Sequence, residues 1–243
     1  MISMPTKILK KCPELLLFDA RFDFYKECSE SFIGILARYS DLIEQISVDE
    51  AFVDMSEVVQ AQKDPVGFAD MIRNRIRDEL GFTVNVGVAQ NKLLAKTASD
   101  FTKPDRTHTL FDNEVASKMW PLPVKDLMFV GRSTAGRLNE LGIHTIGELA
   151  AMDPAVLEPF FGKSTEGMIR SANGIGSTQI HTVQADNKGY SCSTTMADNV
   201  TDCTEAKRIL LKLVVKTAER LRRDDAAIRT VAVSIRDGAF DKR

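Results

Sequence analysis

Two adjacent carboxylates, Asp49 and Glu50, stand inside the stretch EQISVDEAFVDMS, residues 44–56, with apolar residues alternating on either side. Strands disfavour Asp and Glu, and neighbouring like charges repel, so the pair calls for compensation. In a regular strand the two side chains would point to opposite faces; at a bend or bulge they can converge. Convergent carboxylates suit Mg²⁺, a hard ion with oxygen ligands that shares its shell with water and substrate phosphates. Two such ions, about 4 Å apart, clamp an in-line phosphoryl displacement. The plain alternative is a pair of solvated carboxylates at a hairpin tip. A second group lies in NKLLAKTASDFTKPD, 91–105: Lys92 and Lys96 are four apart on one helical face, and Lys103 falls where the helix breaks before Pro104. A lysine there reaches an anionic ligand as a point charge. Its plain alternative is a charged, solubilising face.

Further along, FVGRSTAGRLNELGIHTIGELAAM (129–152) reads as two short helices with small residues at both turns. Thr145 and Glu148 have capping-box spacing. The pair resembles the helix-hairpin-helix module, whose turn offers backbone N–H groups to a DNA phosphate. Such donors give register and carry no sequence readout. The module ordinarily has glycine, a hydrophobic residue and glycine at its turn; here Phe129-Val130-Gly131 stands in that place. A plain αα-hairpin is the competing reading. Arg220, Arg222, Arg223, Arg229 and Arg236 follow in a basic helix and the segment after it, and could line a phosphate backbone or simply face solvent.

The elements that must position these groups can be read from periodicity. Helices are expected over 22–40, over 65–81 with Pro65 near the start and Gly81 as the stop, and from a cap at Asn91 to before Pro104. LIEQIS and EAFVDMS read as strands joined by a bend near SVDE; FTVNVGVA and THTLF read as strands. From Trp120 to about Ile180 the chain is helical. HTVQADNKGYSCSTTMADNVTD reads as a linker followed by a strand, CTEAKRILLKLVVKTAERLRRDD as an amphipathic helix, and IRTVAVSIRDGAF as a strand. The fold class is α+β.

The 243 residues are 44% hydrophobic and 27% charged, which marks a globular chain and excludes a disordered or fibrous one. Net charge is −2, but residues 1–57 carry 6 Lys/Arg against 11 Asp/Glu and residues 205–243 carry 11 against 6. An acidic front and a basic back fit a cation site in one part and a polyanion-facing surface in the other. Four scattered cysteines without CxxC spacing give neither a zinc site nor a disulfide framework and suit a reducing cytoplasm. No membrane-length apolar run or signal peptide is expected.

Taken together and in order, SVDEAFVDMS, GVAQNKLLAKTASDFTKPD, LMFVGRSTAGRLNELGIHTIGELA, FFGKSTEGMIRSANGI and TAERLRRDDAAIRTVAVSIR resemble the Y-family, translesion DNA polymerases of the DNA polymerase IV branch, which carry a UmuC-like domain. The resemblance implies a partial palm over 1–120, a helix-hairpin-helix thumb over 121–180, a linker over 181–190 and the start of an α+β little finger over 191–243. It implies an error-prone enzyme of DNA damage bypass that adds deoxynucleotides to a primer 3′ end by two-metal phosphoryl transfer. Asp49 and Glu50 match metal-binding and catalytic carboxylates, and Lys103 matches a lysine on the incoming triphosphate. Gly131, Arg132, Ser133 and Thr134 match the thumb turn on DNA. Ser191, Ser193, Thr194, Arg229 and Arg236 match little-finger surfaces on the duplex.

The first metal-binding aspartate of that family, its aromatic gate and its triphosphate-holding fingers are not matched, nor is the C-terminal peptide that binds the sliding clamp. The expectation is therefore a chain truncated at both ends, sharing two Mg²⁺ with an aspartate it lacks, with an exposed palm edge and little activity alone. Its partners would be primer-template DNA and deoxynucleoside triphosphates. Two rivals remain: a non-catalytic DNA-binding fragment that uses the thumb and the basic helix, and a nuclease fragment, against which the TKPD lysine and the palm-like order argue.

Overall fold

The computed structural model describes residues 12, 14–16, 18–183, 188–196 and 198–236. The chain divides into two compact units, Arg21–Gln184 and Ala185–Arg243 with Met1–Ala20. The first holds α1 (Phe22–Leu36), β1 (Ile43–Gln45), β2 (Ala51–Val53), α2 (Ser56–Gln62), α3 (Pro65–Leu80), β3 (Val86–Val88), α4 (Lys92–Ser99), β4 (Thr107–Thr109) and the helices α5 (Arg132–Glu140), α6 (Ile146–Ala150), α7 (Pro154–Phe161) and α8 (Ser164–Ala172). The second holds α9 (Cys203–Arg223).

Local chemistry explains the boundaries. Asp64 caps α3 by accepting from the Gly67 N–H, Pro65 opens it, and Gly81 closes it at φ +75°. Asn91 caps α4 by accepting from the Leu94 N–H at 3.0 Å. Thr145 and Glu148 form the expected capping box at α6. Helix α2 was not expected from sequence: its seven residues begin two residues after β2, and Asp54 holds its start by accepting from the Ser56 N–H at 2.9 Å.

β1 and β2 pair antiparallel, with Glu44 opposite Phe52. β3 and β4 pair parallel, with Gly87 opposite His108. Both pairing senses of the expected mixed sheet are present, but among the described residues they fall in two separate two-stranded sheets. Two cores result. Ile35, Leu36, Phe68, Ile72 and Ile76 join α1 to α3, with Tyr39 edge-on to Phe68 at 5.4 Å. The larger core runs from Leu94 and Ala98 of α4 through Leu110, Met119 and Val124 to Leu138, Ile146, Leu149 and Leu157. Burying each such leucine stabilises by about 1.5–3 kcal/mol. Trp120 fastens this core, its indole N–H donating to the Ala172 carbonyl at 3.1 Å.

In the second unit, α9 buries none of its residues, and Leu211, Val214 and Val215 of its apolar face are exposed. The strand expected over IRTVAVSIRDGAF is not formed as a ladder among the described residues, and residues 237–240 lie outside them. A strand exists through its neighbour's hydrogen bonds, and no described strand lies beside Ile228, Val231, Val233 and Ile235, all exposed. The strand expected after the linker is likewise not seen among the described residues. All four cysteines are unbridged.

Gly87 lets α4 press on β3: a Cβ there would lie 1.9 Å from the Ala95 carbonyl oxygen and 2.6 Å from the Ser99 nitrogen. Gly136 sits inside α5 with open space where its Cβ would be. Gly87→Ala is expected to lower stability by about 1–3 kcal/mol, because backbone must move. Gly136→Ala is expected to raise it by about 0.5–1 kcal/mol through lower chain entropy. Urea midpoints of the two variants check the opposite signs.

Candidate functional site

The acidic pair lies where β1 turns into β2. The tip is closed by the Ile46 and Ser47 N–H groups, which donate to the Glu50 carbonyl at 2.9 and 3.3 Å. Asp49 is exposed on this tip. Its carboxylate accepts from the Ser47 hydroxyl at 2.6 Å, and its own N–H donates to the same oxygen at 3.3 Å. Glu50 turns to other company: Lys96 of α4 donates to it at 2.6 Å. One turn earlier, Lys92 donates to both carboxylate oxygens of Glu44 on β1, at 2.8 and 3.1 Å, and lies over the Phe52 ring. The i, i+4 spacing read from sequence thus places two lysines on two carboxylates of one hairpin. They are not a solubilising face: the Lys92 and Lys96 side chains are only 17% and 25% exposed.

Lys96 also meets Asp100 at 3.0 Å, and Asp100 meets Lys103 at 2.8 Å. A chain of ion pairs, Glu50–Lys96–Asp100–Lys103, therefore joins the acidic pair to the lysine of TKPD. Burial pushes the Lys96 ammonium down, and the hydrogen bonds to Glu50 and Asp100 outweigh it, so its pKa is raised. Burial likewise pushes Asp100 up, and Lys103 and Lys96 together hold it below the ordinary range. The loop carrying Lys103 is pinned from its far side. Asp105, at φ +54°, receives Arg73 at 2.5 Å and Arg77 at 3.1 Å, both from α3. Lys103 itself is 57% exposed with its ammonium on Asp100, so an incoming anion reaches it from the solvent side.

The segment after α8 closes over the same corner. The Lys92 N–H donates to the Ser177 carbonyl, Asn91 donates to the Gly174 carbonyl at 2.9 Å, and the His181 N–H donates to Glu44 at 2.9 Å. Glu44, Asp100 and Asp105 escaped the sequence reading. Asp100 had a usable signal, standing four after Lys96 and three before Lys103. Glu44 and Asp105 had none, since their partners are far along the chain.

Gly131, Arg132, Ser133 and Thr134 lie together at the start of α5. Gly131 is its N-cap and no side chain caps the first turn. The first three are exposed and Thr134 is half-buried. Ser191, Ser193, Thr194, Arg229 and Arg236 belong to the other unit, where all five are exposed. There Arg220 donates to the Ser191 carbonyl at 3.0 Å and lies 5.9 Å from the Tyr190 ring.

For a metal, the pair offers hard oxygen donors, as Mg²⁺ prefers. No cluster of three His, Cys, Asp or Glu that could hold an ion occurs among the described residues. The two carboxylates fit such an ion in kind and are too few to enclose it. No helix among the described residues is long and apolar enough to cross a membrane.

The Glu44 pair yields a signed expectation. Burial raises the carboxyl's pKa, and Lys92 with the His181 N–H more than reverses this, so it is held below the ordinary range. Its contribution is therefore complete above the unfolded pKa and is lost as pH falls through the folded one. Glu44→Gln is expected to cost about 1–3 kcal/mol near neutral pH. The gap to the unaltered chain should narrow as pH falls through the folded pKa of Glu44, which lies below the ordinary carboxylate range. Urea melts at neutral and at acidic pH measure it.

The impB/mucB/samB family matches residues 3–100, its C-terminal domain 187–243, and the IMS family HHH motif 112–143. The DNA polymerase IV of Clostridium acetobutylicum is 42% identical over 231 residues, which are 95% of this chain and 58% of that protein. The DNA polymerase IV 1 of Bacillus subtilis is 34% identical over 96% of this chain and 57% of its own length. The chain thus spans a little under three fifths of these curated relatives. Among solved structures, DinB from Sulfolobus solfataricus superposes with a TM-score of 0.66 at 28% identity, over 72% of this chain and 52% of its own. A Y-family DNA polymerase chimera of Dbh and Dpo4 gives 0.79 at 24% identity, over 98% and 68%. With its three matched segments in this order, the chain belongs to the impB/mucB/samB family.

Proposed function

We propose that this chain supplies part of a translesion DNA polymerase that extends a primer on a DNA template by two-metal phosphoryl transfer. The observation that carries the reading is the ion-pair chain Glu50–Lys96–Asp100–Lys103. It makes one site of two motifs that stand about fifty residues apart.

In this reading Asp49 and Glu50 hold Mg²⁺, shared with a further carboxylate because two are fewer than two ions need. Bound there, the ions would draw charge from the reacting phosphate and the primer hydroxyl. The rest falls to the chain's own residues. Lys96 keeps the Glu50 carboxylate aimed from α4 and prevents the two carboxylates from repelling each other apart. Lys103 meets the triphosphate of the incoming nucleotide as a point charge, on a loop that Asp105 holds to α3. Gly131 to Thr134 offer uncapped N–H groups of the first turn of α5 to a DNA phosphate. Ser191, Ser193, Thr194, Arg229 and Arg236 face the duplex from the second unit. The proposed domains are a palm over 1–120, a thumb over 121–180, a linker over 181–190 and the start of a little finger over 191–243.

A second reading has a specific support. With no third ligand joining Asp49 and Glu50 among the described residues, DNA binding through the α5 turn does not require the catalytic pair. The two are separated by one pair of measurements. Duplex affinity should fall steeply with salt and be unchanged by nucleotide. Primer extension with Mg²⁺ by the chain alone should be weak, because ligands of a metal site act as a unit. Robust extension would overturn the second expectation, and salt-insensitive binding the first.

A further inference from the structure

Phe129 occupies a position that its side chain makes costly. The Val130 N–H donates to the Leu127 carbonyl at 3.0 Å, closing a tight turn in which Phe129 stands third at φ +71°. That position of such a turn is glycine's, because a Cβ crowds the backbone there. The flanking Leu127 and Val130 are buried at 2% and 7%, so the turn is anchored in the core. The Phe129 ring is 85% exposed. The chain therefore bears both backbone strain and hydrated aromatic surface at one residue. Its location is specific. Gly131, two residues on, begins the uncapped first turn of α5. Phe129 also walls an open groove of about 430 Å³ with Met128, Thr134, Arg137 and Phe161, in which the Arg137 guanidinium lies 5.3 Å from the Phe161 ring. Walls that mix apolar rings with the hydroxyls of Thr134, Ser164 and Ser171 around one cation match the surface of a nucleic-acid backbone, where apolar sugars alternate with anionic phosphates.

We infer that Phe129 is a DNA-contacting residue, its ring packing on the deoxyribose next to the phosphate that the α5 turn holds on duplex DNA. The inference rests on the proposed DNA-binding role of that turn. The ring recovers on the ligand the apolar burial it lacks in the free chain, as aromatic wedges do on duplex sugars and steps. An apolar contact releases no counterion, so it adds affinity without adding salt dependence.

The test is duplex binding by fluorescence anisotropy across a salt series, using the full chain and Phe129→Gly, Phe129→Trp and Arg132→Ala. Phe129→Gly should melt higher, since strain is relieved, yet bind the duplex roughly tenfold more weakly at every salt concentration with an unchanged slope of log K against log salt. Phe129→Trp should keep the affinity of the unaltered chain. Arg132→Ala should instead reduce the slope by about one. Phe129→Gly binding as tightly as the unaltered chain would overturn the inference while leaving the turn's role intact. A changed salt slope in Phe129→Gly would overturn direct contact as well, because the ring would then act by shaping the turn. Failure of the unaltered chain to bind duplex DNA would remove the underlying reading and this inference with it.

Discussion

Helix α4 is held between two unlike surfaces, and its grip on the β1–β2 hairpin is the constraint from which the site follows. One side of the helix is apolar: Leu93, Leu94 and Ala98 are buried, and Gly87 lets β3 come within a backbone's width. The other side carries Lys92 and Lys96, each on a hairpin carboxylate. Neither side suffices alone. The apolar side sets the distance and depth of the helix but leaves its rotation loosely defined, since hydrophobic contact has no direction. The lysines set the rotation, because charge-assisted bonds weaken quickly with distance and angle. Once both hold, the tip bearing Asp49 and Glu50 has one position against α4.

The same economy extends to the loop after α4. Asp100 is shared by Lys96 and Lys103, and Asp105 by Arg73 and Arg77. Exposed single pairs contribute little, but here each carboxylate serves two cations, and Arg73, Arg77 and Lys96 stand on helices that already place their backbones. The entropy lost in forming each bond is correspondingly small. Lys103 is thereby presented from a fixed loop, held by Asp100 and still more than half exposed, so that an anion can reach it from outside. In the helical part, the capping box at Thr145 and the Trp120 bond to Ala172 give the hairpin of α5 and α6 a rigid seat. That seat is what allows the residue preceding its turn to hold an unfavourable backbone angle.

The sequence spoke clearly wherever the cause was local. Caps at Asn91 and Thr145, the stop at Gly81 and the helix periods of α1, α3, α4 and α9 each depend on residues within a turn or two of one another. The hairpin carrying the acidic pair was also legible, from alternation and a polar tip. Helix α2 was not, because its seven residues begin only two residues after a strand, too short a run to show a helical period. IRTVAVSIRDGAF had the alternation of a strand, and alternation describes only which faces a strand would have. Whether it becomes one depends on a neighbour to bond with.

The amino-acid order alone therefore determined the types of group available to the site: two carboxylates at a turn, lysines one helical turn apart, and a short-residue hairpin with an uncapped helix start. It also determined the family, since those motifs occur in one order. Only the tertiary structure decided which charge meets which. Glu44 meets Lys92 across 48 positions, and His181 reaches Glu44 across 137. It alone turned Lys92 and Lys96 from a solvated face into half-buried anchors, and Phe129 from a departure from a glycine pattern into a strained, exposed ring. The physical reason is range. Caps and periods arise from bonds within a few residues, whereas an ion pair between distant segments has no signature until packing brings its partners together.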